Sequence, residues 1–87
     1  MTKLEEKLFD LGYRYVDYYC YNKGDIYIYI TDDNKNIYRP RCYISIKQRR
    51  IQDKSDMQRL KNSIEYYDNQ LKTMENDLEI LKEYENE

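Results

Sequence analysis

Histidine does not occur anywhere in the 87 residues. Its absence removes the commonest general base and the usual partner of a serine or cysteine nucleophile. Cysteine occurs twice, at Cys20 and Cys42, too far apart for a redox CxxC and too few for a disulfide scaffold or a zinc site. Both are expected as free, buried thiols. Two glycines cannot make a glycine-rich phosphate loop, and the adjacent carboxylates Asp32-Asp33 fall in a polar turn rather than opposite one another. The chain is therefore expected to be no enzyme, and to hold no cofactor and no metal. No apolar run approaches the ~20 residues of a membrane span. The opening MTKLEEKLFD has acids where a secretory signal has a basic and then an apolar stretch, so a cytoplasmic location is expected.

What the chain has is charge and tyrosine. Charged residues make up 37% and mean hydropathy is -1.12, yet 12 tyrosines and regularly placed isoleucines supply enough apolar area for one ordered domain, 1–87. A domain of this size buries only about 60–65% of its unfolded surface, so its core is small. The net charge of -2 is unevenly spread. Residues 35–54 are basic and residues 55–87 acidic, which gives a basic middle and an acidic tail.

Thr2-Lys3-Leu4-Glu5 fits a capping box, Leu4, Leu8 and Leu11 follow at helical spacing, and Gly12 stands where a left-handed stop belongs. A short helix is expected within 1–12, with Tyr13 folded back on Leu8. Residues 13–48 read as an antiparallel sheet. RYVDYYCY (14–21) and GDIYIYI (24–30) alternate about a loop Asn22-Lys23-Gly24, which pairs Tyr21 with Asp25 and Cys20 with Ile26. That register puts Val16, Tyr18, Cys20 and the isoleucines inward, and Tyr19, Tyr27 and Tyr29 outward. In IYRPRCYISIKQ (37–48), Cys42, Ile44 and Ile46 face inward and Arg39, Arg41, Tyr43 and Lys47 outward, with Pro40 marking an edge or bulge. The expected architecture is α+β, α-β-β-β-α, with a three-stranded meander.

A long helix is expected over 53–86, opening on a second capping box, Ser55-Asp56-Met57-Gln58. Met57, Leu60, Ile64, Tyr67, Leu71, Met74, Leu78 and Leu81 recur at spacings of three and four, four heptads with every a and d position apolar. Such a helix is ~48 Å long against strands of ~20–27 Å, so the sheet covers only half of the stripe. The first half, Met57 to Tyr67, is expected on the sheet. Tyr67, Leu71, Met74, Leu78 and Leu81 are then left as the seam of a homodimer, or else folded back as a helical hairpin broken near Asp68-Asn69.

Three surfaces are candidates for binding. The outward sheet face collects Tyr19, Tyr27, Tyr29 and Tyr43, with Tyr15 and Tyr21, beside Arg39, Arg41 and Lys47; tyrosine and arginine dominate binding hot spots and also suit base stacking and phosphate pairing. The basic run Lys47-Gln48-Arg49-Arg50 extends that face. The acidic end holds Glu75, Asp77, Glu79, Glu83 and Glu85. Protein and nucleic-acid partners both remain open on these residues.

LEEKLFDLGY (4–13), the Tyr/Ile/Asn/Lys-rich strands and DLEILKEYE (77–85) give the chain a resemblance to small proteins of phages and mobile elements of low-GC Gram-positive bacteria. That group includes anti-CRISPR inhibitors. The resemblance implies a short non-enzymatic protein that binds a Cas nuclease and blocks DNA recognition or cleavage; it assigns no residue a role by position.

Overall fold

A computed structural model describes residues 1–43 and 52–87. Its elements are α1 (Lys3–Asp10), β1 (Arg14–Tyr15), β2 (Cys20–Lys23), β3 (Ile26–Ile30), β4 (Ile37–Cys42) and α2 (Lys54–Leu81), with a 3-10 turn at Lys82–Tyr84. The fold is α+β: a short N-terminal helix, a four-stranded antiparallel sheet in the order β1-β2-β3-β4, and a long C-terminal helix.

The start of α1 forms as the capping box requires, with Thr2 accepting from the Glu5 N–H and the Glu5 carboxylate accepting from the Thr2 N–H at 3.1 Å. At its end Gly12 takes φ +97°, so the Tyr13 N–H reaches the Leu8 carbonyl at 2.9 Å and the Gly12 N–H the Phe9 carbonyl at 3.0 Å. This is a Schellman stop, and it delivers Tyr13 fully buried beneath the helix it terminates.

Among the described residues the meander has four strands, not three, because residues 14–21 do not run straight. The chain reverses at Asp17-Tyr18-Tyr19-Cys20, closed by the Cys20 N–H on the Asp17 carbonyl at 2.8 Å. Tyr18 (φ 43°) and Tyr19 (φ 61°) both lie in the left-handed region, as a type I′ hairpin turn demands. The next hairpin also departs from expectation. Lys23 pairs with Ile26, so only Gly24 and Asp25 form its loop, and Gly24 supplies the positive φ of +60° at the first central position. Cys20 consequently pairs with Tyr29 and Tyr21 with Ile28. A slip of three residues exchanges the faces of β2: Tyr21 turns inward, and Cys20 lies buried on the opposite face, beside Tyr29.

Among the described residues β4 is an edge strand, with an irregularity where Tyr29 pairs Arg39 but Ile30 pairs Ile37. Pro40 sits on this edge, where its missing N–H removes no inner ladder bond. The expected inward positions Ile44 and Ile46 lie outside the described residues.

Both helices cover one face of the sheet. Leu4 and Leu8 of α1, Tyr13, Tyr21, the three isoleucines of β3 and Leu81 of α2 form the core, with Phe9, Met74, Leu78 and Tyr84 packed around it. The order along α2 is thus the reverse of that expected. Leu81 is fully buried, and Met74 and Leu78 pack on this chain's own core, so these three expected seam residues are spent within the subunit. Met57 and Ile64, expected on the sheet, are about half exposed. The reason lies at the other end of the molecule: α1 and the Tyr13 hydroxyl draw in the C-terminal half of α2, which the heptad pattern cannot reveal. Helix α2 runs unbroken past Asp68-Asn69, which excludes the helical hairpin. It begins before the expected cap Ser55, at Asp53, whose carboxylate accepts from the Asp56 N–H at 3.0 Å.

Candidate binding surface

The face of the sheet turned away from both helices is set by the alternation of β3. Ile26, Ile28 and Ile30 are buried on the helix side, so Tyr27 and Tyr29 stand on the other. The register places Tyr27 opposite Arg41 and Tyr29 opposite Arg39, and Tyr43, two residues beyond Arg41, joins them. The rings of Tyr27 and Tyr43 meet edge to face with centroids 5.0 Å apart, and the Arg41 guanidinium donates to the Tyr43 hydroxyl at 3.3 Å while its carbon lies 5.9 Å from that ring. Five of the expected binding residues are therefore brought together: Tyr27, Tyr29, Arg39, Arg41 and Tyr43.

The face has an internal electrostatic order. Hydrogen bonding to Tyr43, then burial and the neighbouring Cys20, push Tyr29 up to about 12. Tyr43 shifts the other way, held below the usual tyrosine range by Arg41 and then by Tyr29. Burial pushes the Cys20 thiol up against a lowering contact from Tyr29, which leaves it a poor nucleophile in the neutral range. The face can offer rings, hydroxyls and guanidinium groups to a partner.

Other expected members are elsewhere. Tyr21 is in the core, its hydroxyl donating to Glu5 at 3.0 Å, and Tyr15 stacks on it edge to face at 5.5 Å. Tyr19 belongs to the strained turn, and Lys47, Arg49 and Arg50 lie outside the described residues. Among the acidic-end residues Asp77 is withdrawn: it is 6% exposed and accepts from the Tyr13 hydroxyl at 2.8 Å and from Lys23 Nζ at 2.6 Å. Lys23 also donates to the Leu11 carbonyl at 3.0 Å and lies 4.7 Å from the centre of the Tyr13 ring. These three side chains tie α1, β2 and α2 together; their role is structural.

Sequence reasoning missed the tip of the first hairpin. Val16, Tyr18 and Tyr19 are all exposed there, Tyr18 by 86%, on a backbone that L-residues other than Asn and Asp adopt reluctantly. The one signal was Asp17, a favoured first residue of a turn. Among the described residues no group of three or more cysteines and acids is placed to hold a metal ion, and no helix is long and apolar enough to cross a membrane. Comparison with protein-family models, with curated proteins and with solved structures finds no match.

Proposed function

We propose that this chain is a non-enzymatic binding protein that docks on another protein through Tyr27, Tyr29, Arg39, Arg41 and Tyr43. The observation that carries the reading is the ring and guanidinium cluster of Tyr27, Arg41 and Tyr43 on the sheet face that neither helix covers. Rigid aromatic and arginine side chains already held by one another lose little entropy on binding, which is what a hot spot requires. The strained, exposed Tyr18-Tyr19 turn supports the same reading, since an Asn-Gly pair would form that turn with less strain. The resemblance to phage proteins gives the partner class: a host defence nuclease such as a CRISPR-Cas effector, inhibited by contact in the cytoplasm.

The test adds the protein to Cas effectors cleaving a labelled DNA target, in parallel with capture from host lysate. Inhibition or capture that is lost in Tyr27→Ala/Tyr43→Ala, with an unchanged far-UV spectrum, supports the reading; full retention by that variant removes the face from it. The same rings and guanidinium groups suit single-stranded nucleic acid. That second reading demands binding to labelled DNA or RNA that weakens steeply from low to moderate salt.

A further inference from the structure

Helix α2 carries an apolar face that its own sheet does not use. The side that meets the sheet runs through Tyr66, whose hydroxyl donates to Asp25 at 2.8 Å, Gln70 against Gly24, Asp77 on Lys23, and Leu81 in the core. Met57, Leu60, Ile64, Tyr67 and Leu71 follow a different line, roughly 100° further round the helix at 3.6 residues per turn. Met57 is 48% and Ile64 51% exposed, and Leu60, Tyr67 and Leu71 are half-buried. A cavity of about 360 Å³ opens over Ile64, Tyr67 and Leu71, with Lys61, Glu65 and Asp68 at its rim.

We propose that a second copy of this chain occupies this face, its α2 antiparallel to the first. Charge complementarity favours this arrangement. In an antiparallel seam with Met57, Ile64 and Leu71 at a and Leu60 and Tyr67 at d, each a faces a d of the other helix, e flanks e, and g flanks g. Setting Ile64 against Tyr67 of the second copy, and Leu60 against its Leu71, brings Lys61 beside Asp68 of the second copy, and two-fold symmetry repeats that pair. The g positions between these a and d residues are Ser63, neutral and polar, and Gln70, which packs against Gly24 of its own sheet. Sliding one helix by a heptad sets Lys61 against its own copy in one direction and Asp68 against its own copy in the other. A parallel pair places Ser63 beside Asp68 and Gln70 beside Glu75, and its one opposite-charge pair along this stripe, Asp56 with Lys61, uses a carboxylate that already accepts from the Gln52 N–H at 3.0 Å in the first turn of its own helix. Asp68 also meets Lys72 of its own chain at 3.0 Å, but both side chains are well exposed and the carboxylate retains capacity for a second cation. The seam is short, so association is expected at the weak end of specific interfaces.

Sedimentation equilibrium from low to high micromolar protein in low salt tests this. The mass should rise from 10.9 kDa toward twice that value. Lys61→Asp and Asp68→Lys should each weaken the dimer about tenfold, by loss of two attractive pairs and gain of two repulsive ones, and the combined variant should restore it. Both positions are exposed in the single chain, so the far-UV spectrum should not move. A monomer throughout the range overturns the proposal and leaves the face to a different protein. A dimer indifferent to either single change, or not restored by the pair, overturns the antiparallel register.

Discussion

Asp77→Ala should be among the most damaging single substitutions in the protein. The change leaves the Tyr13 hydroxyl, on a fully buried side chain, without an acceptor, which is worth about 1–3 kcal/mol. It also takes the carboxylate from Lys23, whose side chain is 28% exposed and keeps the Leu11 carbonyl, so water offsets much of that loss and about 1 kcal/mol remains. Together the loss is about 3 kcal/mol. A domain of this length shifts by about 4–8 °C in Tm per kcal/mol, so the expected fall is roughly 12–24 °C. Urea unfolding followed by far-UV circular dichroism measures it. Asp77→Asn keeps an acceptor for Tyr13 and should lose about half as much. Tyr13→Phe combined with Asp77→Ala should lose less than the sum of the single changes, because the orphaned hydroxyl is gone. A loss below about 0.5 kcal/mol for Asp77→Ala, the size of an ordinary surface change, or strict additivity in the cycle, would refute the account of these residues as one structural unit.

Replacing Tyr18-Tyr19 by Asn-Gly should stabilise the fold by about 1–2 kcal/mol, or roughly 5–10 °C in Tm, by relieving two left-handed tyrosines; if the pair serves binding, the same variant captures less partner. Asp53→Ala should cost about 1 kcal/mol and Ser55→Ala almost nothing, since Asp53 caps α2; equal effects in urea would move the cap. Burial, then hydrogen bonding to Asp77 in one case and to Glu5 in the other, raises both Tyr13 and Tyr21 above the ordinary tyrosine range. The native state holds these protons more tightly than the unfolded chain, so stability should be full below about pH 10 and fall above it. Alkaline unfolding followed by tyrosinate absorbance should show that slope, reduced in Tyr13→Phe. Burial pushes the Glu5 carboxyl up, but the Thr2 N–H, the Tyr21 hydroxyl and the Thr2 hydroxyl together hold it below the usual carboxylate range. Its contribution is therefore present above the unfolded value and lost as pH falls through the lower folded one, and Glu5→Gln should flatten the acid limb of the stability curve.

Both ends of α1 were legible in the sequence because its signals are local: Thr2 and Glu5 three apart, and one glycine where φ must be positive. The register of β2 against β3 was not, because residues 18–21, Tyr-Tyr-Cys-Tyr, mark neither face as the polar one. With Tyr21 and Cys20 equally acceptable inside, alternation alone cannot decide between two pairings an odd number of residues apart. Asn22 then offered a plausible loop residue although the loop is Gly24-Asp25. Tyr18 and Tyr19 carry no turn signal because strand-forming residues occupy a left-handed turn. The outward placement of Tyr27, Tyr29, Arg39, Arg41 and Tyr43 was still legible, since β3 alternates strictly and β4 keeps step with it from Arg39 to Cys42. Asp77 looked like one more solvated acid; only the return of α2 over Tyr13 and Lys23 makes it a buried one.

That return has a consequence for how the protein is made. The sheet's inner face is closed by Leu4 and Leu8 of α1 together with Leu81 of α2, far apart in the sequence, and the Asn86 N–H meets the Lys35 carbonyl at 2.8 Å. A growing chain can wind α1 and zip the hairpins as they emerge, but it cannot complete the cover over Ile26, Ile28 and Ile30 until residues 74–84 have been synthesised. Closing the sheet therefore waits on contacts between residues far apart in the sequence, and a ribosome stalled before Leu81 would hold a half-covered isoleucine sheet for chaperones to shield.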